Sequence, residues 1–273
     1  MSLHKKVEKQ ITLVVQARVG SSRLPGKTLL PILGETLLYR MVERLQKVKR
    51  IVSIVIATST NPEDDSIERL CKEKGWDCYR GSLNDLLDRH WQVAALTEAD
   101  IILKIPSDCP LIDPKVIDKV LDYYIENEGA FDYVSNLHPA TYPDGNDVEV
   151  MSMACLTKAW EEAVKPMELE HTTPYIWENP NKFCIGNVEW ETGLNYSMSH
   201  RFTIDYYEDY QFIKRVFEEL YPVKPQFDLQ DILDLLDEQP AIYDLNKAYA
   251  GVNWYRHHLK ELKTVDESMT VVK

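Results

Sequence analysis

Basic residues are in deficit over the 273-residue chain: 31 Lys and Arg stand against 44 Asp and Glu, a net charge of −13. That excludes a non-specific binder of nucleic acid or of an anionic membrane surface, since either needs a basic face to neutralise phosphates. Long apolar runs are missing too. None approaches the ~20 residues of a membrane helix, and the first, Ile11 to Val15, is too short and wrongly flanked for a signal peptide. The expected location is the cytoplasm. The five cysteines (Cys71, Cys78, Cys109, Cys155, Cys184) are scattered, odd in number and never spaced C-x-x-C, so neither a disulfide framework nor a zinc site is indicated. There is no internal repeat and no low-complexity segment.

What the chain does have is alternation. Short β-branched runs alternate with amphipathic stretches of helical length, the pattern of βαβ units and a mainly parallel sheet. Strands are expected at Ile11 to Gln16, Ile51 to Thr58, Asp77 to Arg80 and Ile101 to Ile105. Between them lie helices carrying Leu37 to Leu45, Ile67 and Leu70, and Asn84 to Leu96. Asp113-Pro114 opens a further helix through Tyr124, with Asp113 suited to the N-cap. Beyond Gly129 the pattern loosens: strands near 133–136, 148–152 and 201–204, helices near 154–164, 173–178 and 208–220. Residues 1–222 read as one α/β domain. Residues 223–273 read as a helical C-terminal appendage, with helices at Leu229 to Asp237 and Tyr243 to Leu262 and a frayed tail after Lys263.

Charge is unevenly spread, with eleven basic and three acidic side chains in the first fifty residues. Three of those cations, Arg18, Arg23 and Lys27, fall within ten residues directly after the first strand, in QARVGSSRLPGK. Ligands of open α/β sheets bind outside the carboxyl ends of strands, where this loop lies. Backbone N–H groups around Ala17, Gly20, Ser21 and Ser22 can approach phosphate oxygens, the arginines can fork onto them, and Lys27 adds a point charge. The loop is neither G-x-G-x-x-G nor a Walker A loop, since Gly20 to Gly26 is one residue too long. A second element, Ser107-Asp108-Cys109-Pro110, ends the 101–105 strand and sets Asp108 to hold a hard cation through oxygen.

These segments resemble the sugar cytidylyltransferases, the family of the Kdo and acylneuraminate enzymes, and most nearly its spore coat polysaccharide (SpsF) branch. The resemblance rests on RVGSSRLPGK, ATSTNPEDD from Ala57, Arg80-Gly81-Ser82, Leu86-Leu87-Asp88-Arg89, DCPLID from Asp108, DYVSN from Asp132, Tyr142-Pro143-Asp144-Gly145, Asp147-Val148-Glu149-Val150 and EHTTPY from Glu170. It runs in order from about residue 10 to 220. It implies a Rossmann-like three-layer, GT-A-like nucleotide-diphospho-sugar transferase fold. The implied reaction couples CTP to an acidic or phosphorylated sugar, releasing pyrophosphate, for cell-surface or spore-coat polysaccharide synthesis.

The resemblance also implies Mg²⁺, replaceable by Mn²⁺, on Asp108 and on a late carboxylate, for which Asp205 is the candidate ligand or, alternatively, a helix N-cap. Ala57, Thr58, Ser59 and Asn61 are candidates for reading the cytosine edge, although an ordinary strand-to-helix turn needs the same residues. Gly81, Asp85 and Arg89 are rim candidates, Arg89 equally able to pair with Asp85 or Asp88 on one helix face. Asp144, Asp147 and Glu149 can accept hydrogen bonds from sugar hydroxyls. His171 is expected to face the site from a helix start. A homodimer is the implied oligomer. Two departures stand out: relatives more often carry Thr-Gly-Asp where this chain has Pro106-Ser107-Asp108, and Asp-Thr-Pro where it has Asp205-Tyr206-Tyr207. They keep two alternatives open, a glycosyltransferase using a ready-made nucleotide sugar and a catalytically silent nucleotide-binding subunit.

Overall fold

In the computed structural model, residues 9–50 and 53–272 are described. Residues 1–8 of the expected domain, and Ile51 and Val52 of the expected second strand, lie outside the described residues. The strands are β1 (Ile11–Gln16), a small hairpin of β2 (Pro31–Ile32) and β3 (Glu35–Thr36), β4 (Ser53–Ser59), β5 (Asp77–Gly81), β6 (Ile101–Pro106), β7 (Tyr133–Ser135), β8 (Glu149–Ser152) and β9 (Ile185–Asn187). Helices α1 (Leu37–Leu45), α2 (Asp65–Lys74), α3 (Leu86–Leu96), α4 (Pro114–Glu126), α5 (Met153–Glu162), α6 (Pro166–His171) and α7 (Pro174–Trp177) interleave with them. The chain then continues through α8 (Tyr207–Leu220), α9 (Leu229–Glu238) and α10 (Pro240–Tyr243).

Among the described residues a seven-stranded sheet runs in the order β5-β4-β1-β6-β8-β7-β9. β5, β4, β1 and β6 are mutually parallel, and β8 is antiparallel to both of its neighbours. Strand side chains alternate between faces. Leu13 and Val15 pack with α1, α4, α8 and α9 on one face, and Val14 packs with α3, α5 and α7 on the other. Burial on both sides explains why ITLVVQ and IILKI read as continuous apolar runs. From β1 the chain crosses to β4 on one side and reaches β6 on the other, which leaves a crevice at the carboxyl ends of β1 and β6.

Four expectations need correction. Residues 201–204 form no strand: Arg201 makes only an isolated bridge to Asp144, and the backbone bonds go to loops, Phe202 N–H to Asp144 O (2.7 Å) and Ile204 N–H to Asp108 O (2.9 Å). No helix spans Tyr243 to Leu262: α10 ends at Tyr243 and two short 3₁₀ turns follow, at Lys247–Tyr249 and Trp254–His257. The segment after Lys263 is tied down rather than frayed, because Glu178 accepts from Lys263 N–H and Thr264 N–H at 2.7 and 2.8 Å, and Val265 and Thr270 are buried. Glu170 and His171 end a helix, α6, instead of starting one.

Candidate active site

Gly26 N–H bonds back to Val19 O (3.0 Å), which folds the loop after β1 over the crevice. Lys27 follows in the first turn of a 3₁₀ helix, and its ammonium is drawn inward between two carboxylates. Nζ lies 3.3 Å from Asp108 Oδ2, 3.0 Å from Asp205 Oδ1 and 2.7 Å from Ile204 O. Burial opposes the charge on Lys27, but the two aspartates outweigh it and hold its pKa above the usual lysine value. Arg23 reaches the same Asp205 oxygen at 2.7 Å, its guanidinium lying 5.6 Å from the Tyr206 ring centroid. Burial raises the Asp205 pKa on its own; Lys27 and Arg23 more than offset that and bring it down to about 2.

Sequence reasoning missed the group behind Asp205. Arg201, almost fully buried, donates to Asp205 Oδ2 (3.2 Å), Asp144 Oδ2 (3.2 Å), Asp209 Oδ1 (2.9 Å) and Val252 O (2.7 Å). Asp209 in turn accepts from Asp205 N–H and Tyr206 N–H at 2.9 Å and caps α8, so Asp205 is not the helix cap. Gly145 sits against this segment with φ +100, where a Cβ would fall 2.6 Å from Phe202 C. Only glycine lets the 144–147 loop approach so closely. Arg44 fixes the other wall, donating to Leu111 O, Ile112 O and Phe227 O behind the Asp108 turn.

The crevice, about 990 Å³, takes in Ala17, Arg18, Gly20, Ser21, Ser22, Arg23, Lys27, Asp108, Asp144, Asp147, Glu149, His171 and Asp205, from opposite halves of the chain. Arg18 stands at its edge, 3.8 Å from Glu170 and largely exposed. Glu149 does not offer a free carboxylate: Lys104 pairs with it, and Tyr133 OH donates to it at 2.6 Å. A lysine interrupting the apolar run of β6 is the signal that would have found this pair. His171 is stacked on Trp254, centroids 3.8 Å apart, and burial, with Lys104, His258 and Arg18, pushes its pKa down to about 3. It is neutral at pH 7.

The cytosine candidates lie elsewhere. Ala57 and Thr58 are fully buried in β4, Ser59 donates its hydroxyl to Asp64, and Asn61 accepts from Glu63 N–H in a local turn. Their carbon frames serve the strand-to-helix turn, and none lines the crevice. Gly81 also stays out of it, making room for Arg89, whose Cγ a Cβ there would meet at 2.8 Å. Arg89 does line it. Asp85 instead caps α3 at Asp88 N–H (2.7 Å) and Asp88 accepts from Trp160 Nε1 (3.0 Å), so neither pairs with Arg89. Its Nε and Nη1 have no hydrogen-bond partner among the described residues, and burial, then Arg18, lowers its pKa to about 10. Those two nitrogens are sealed within the crevice wall, and leaving them unmatched is a cost the fold bears.

Asp147 has no basic group within ion-pair distance among the described residues; it accepts only from Gly145 N–H, at 3.2 Å. Burial, then the charge of Asp108, raises its pKa to about 6. A carboxyl raised from 3.8 to about 6 binds its proton more tightly when folded. Its contribution to stability is therefore present below pH 4 and is lost as pH rises through 6. Asp147→Asn is expected to flatten that interval of a thermal-denaturation profile, with a gain of up to about 3 kcal/mol at pH 7.

The cytidylyltransferase family model matches residues 12–247. SpsF, a spore coat polysaccharide biosynthesis protein of Bacillus subtilis, is 29% identical over 84% of this chain and 95% of its own length. The uncharacterized protein MJ1063 of Methanocaldococcus jannaschii is 35% identical over 85% and 93%. The solved structure of a cytidylyltransferase from Leptospira borgpetersenii superposes with a TM-score of 0.81 at 33% identity, covering 86% of this chain and 97% of that one. The matched span contains the loop from Arg18 to Lys27, both aspartates that converge on Lys27 and most of the central sheet, and the chain is a nucleotidyltransferase of the cytidylyltransferase family.

Proposed function

We propose that the protein transfers the cytidylyl group of CTP to a sugar: a sugar hydroxyl or phosphate oxygen bonds to the α-phosphorus, the α–β bridge bond breaks, and pyrophosphate leaves. The observation that carries this is the Lys27 ammonium between Asp108 and Asp205, with Arg23 beside it, at the carboxyl end of β1. Such transfer needs positioning and charge neutralisation rather than a covalent nucleophile. Lys27 and Arg23 neutralise charge accumulating on the departing pyrophosphate, and Arg18 does so from the rim. Arg89, in the crevice wall, adds a fixed positive charge near the nucleotide.

Two carboxylates converging on one cationic atom are an oxygen-only donor set suited to Mg²⁺, which takes one or two carboxylates and fills its shell with water and phosphate. Asp108 and Asp205 would hold it; bound there, it supplies Lewis-acid stabilisation of phosphate charge. The engagement of Glu149 with Lys104 and Tyr133 removes one acid from the Asp147-Val148-Glu149 pattern that a donor-sugar glycosyltransferase would use, which supports nucleotidyl transfer. The acceptor is an acidic or phosphorylated sugar, and its activated product feeds polysaccharide assembly.

A pyrophosphate-release screen of the four ribonucleoside triphosphates against acidic, phosphorylated and neutral sugars in Mg²⁺ tests this reading. Release with CTP and one sugar is expected; no release with any pair overturns it. Arg89→Met, which keeps the packed stem, is expected to weaken CTP binding about 10- to 100-fold in a calorimetric titration. That is the order of the loss of one fixed positive charge beside the phosphates.

A further inference from the structure

The family match ends at residue 247, yet the chain crosses back over the crevice after it. Val252 O is held by Arg201, Val271 N–H bonds Gly251 O at 2.7 Å, and Glu178 holds Lys263 and Thr264. The segment so pinned contributes Trp254, Tyr255, His257, His258, Ser268 and Met269 to the crevice lining. Its rings join others from the matched span in one wall. Trp254 stacks on His171 at 3.8 Å and lies 4.6 Å from Tyr255, while Tyr255 lies 6.4 Å from Trp177, which lies 4.6 Å from His138. The same crevice is lined by Asp144 and Asp147, whose carboxylates are hydrogen-bond acceptors when ionised.

We propose that residues 252–269 build the acceptor subsite of this enzyme, packing the C–H face of a sugar ring against the aromatic wall while Asp144 and Asp147 accept from its hydroxyl or amino groups. The proposal rests on the nucleotidyl-transfer reading and adds to it a specificity element outside the shared family span. Aromatic rings are suited to this, being large, rigid and apolar on their faces. A few convergent polar groups then fix the orientation of the ligand. Burial keeps His138 and His171 below the ordinary histidine pKa, which favours their uncharged rings.

The test is saturation-transfer NMR on neutral hexoses, N-acetylhexosamines, hexose phosphates and 2-keto-3-deoxy sugar acids, each with and without α,β-methylene CTP and Mg²⁺. At least one sugar is expected to receive saturation on its ring C–H protons in the wild type. Trp254→Ala should weaken that sugar at least tenfold, Trp254→Phe should retain it, and the affinity for the CTP analogue should change less than twofold. If the alanine variant loses its cooperative melt, Trp254→Leu replaces it. Undiminished sugar binding in the Ala or Leu variant, or no sugar bound by a wild type that binds the analogue, overturns the proposal. Failure of the wild type to bind the analogue strikes the cytidylyl-transfer reading instead, and the sugar arm without nucleotide still reports on the wall.

Discussion

Lys27→Ala is expected to reduce turnover of CTP and the sugar identified by the screen by about 100- to 1,000-fold, the usual cost of removing one preorganised charge from a transition state. The ammonium is nearly buried and its three partners are fixed, so water cannot supply an equivalent group. The same substitution has an opposite effect on metal binding. Without its cation, the Asp108 and Asp205 pair becomes more negative, and free Mn²⁺, measured by paramagnetic resonance, is expected to bind more tightly than to the wild type. Near-normal pyrophosphate release by a folded Lys27→Ala would remove the lysine from the mechanism. Unchanged or weaker Mn²⁺ binding would show that the ammonium does not compete for the carboxylates.

Arg201→Met carries the largest expected loss of stability, about 3–5 kcal/mol, because it strands the fully buried Asp209 without its counter-ion and removes the charge that opposes burial of Asp144. In a chain of this size that corresponds to a fall in Tm on the order of 10 °C. Arg201→Lys keeps the charge but loses the fork that holds Asp205, Asp144 and Asp209 together. It is expected to melt between the two and to lose turnover through a misplaced Asp205. A Tm within 2 °C of wild type for Arg201→Met, read by circular dichroism, would mean that the network contributes little.

Local patterns were the legible part. ITLVVQ, IVIAT and IILKI announced buried parallel strands because both faces of the sheet are covered, and Asp113-Pro114 announced α4 because cap and first turn lie side by side in sequence. The loop from Arg18 to Lys27 was legible for the same reason: its chemistry is contained in ten residues. Arg201 was not, since its partners come from residues 144, 205, 209 and 252, and nothing near it in sequence shows that they meet. The alternation Phe202, Ile204 suggested a strand, and both are buried, but their backbones answer to the Asp108 and Asp144 loops instead of a ladder. In the stretch from Tyr243 to Leu262, tertiary bonds won over helical spacing. Asn246 is drawn onto Arg201 O and Asp209 Oδ1 at 2.8 and 3.0 Å, which interrupts any continuous helix.

Lys27 meets Asp205 across a separation of 178 residues, and Arg44 meets Phe227 across 183. Contacts of that span are the slowest to form, because the loop they close must be ordered before they return any stability. During synthesis the early cations therefore wait for most of the chain, exposed and without their acids. A ribosome-bound fragment that ends before Arg201 can complete β1, β4, β5 and β6 yet holds no centre able to bind a triphosphate productively. Activity arrives with about the last quarter of the polypeptide.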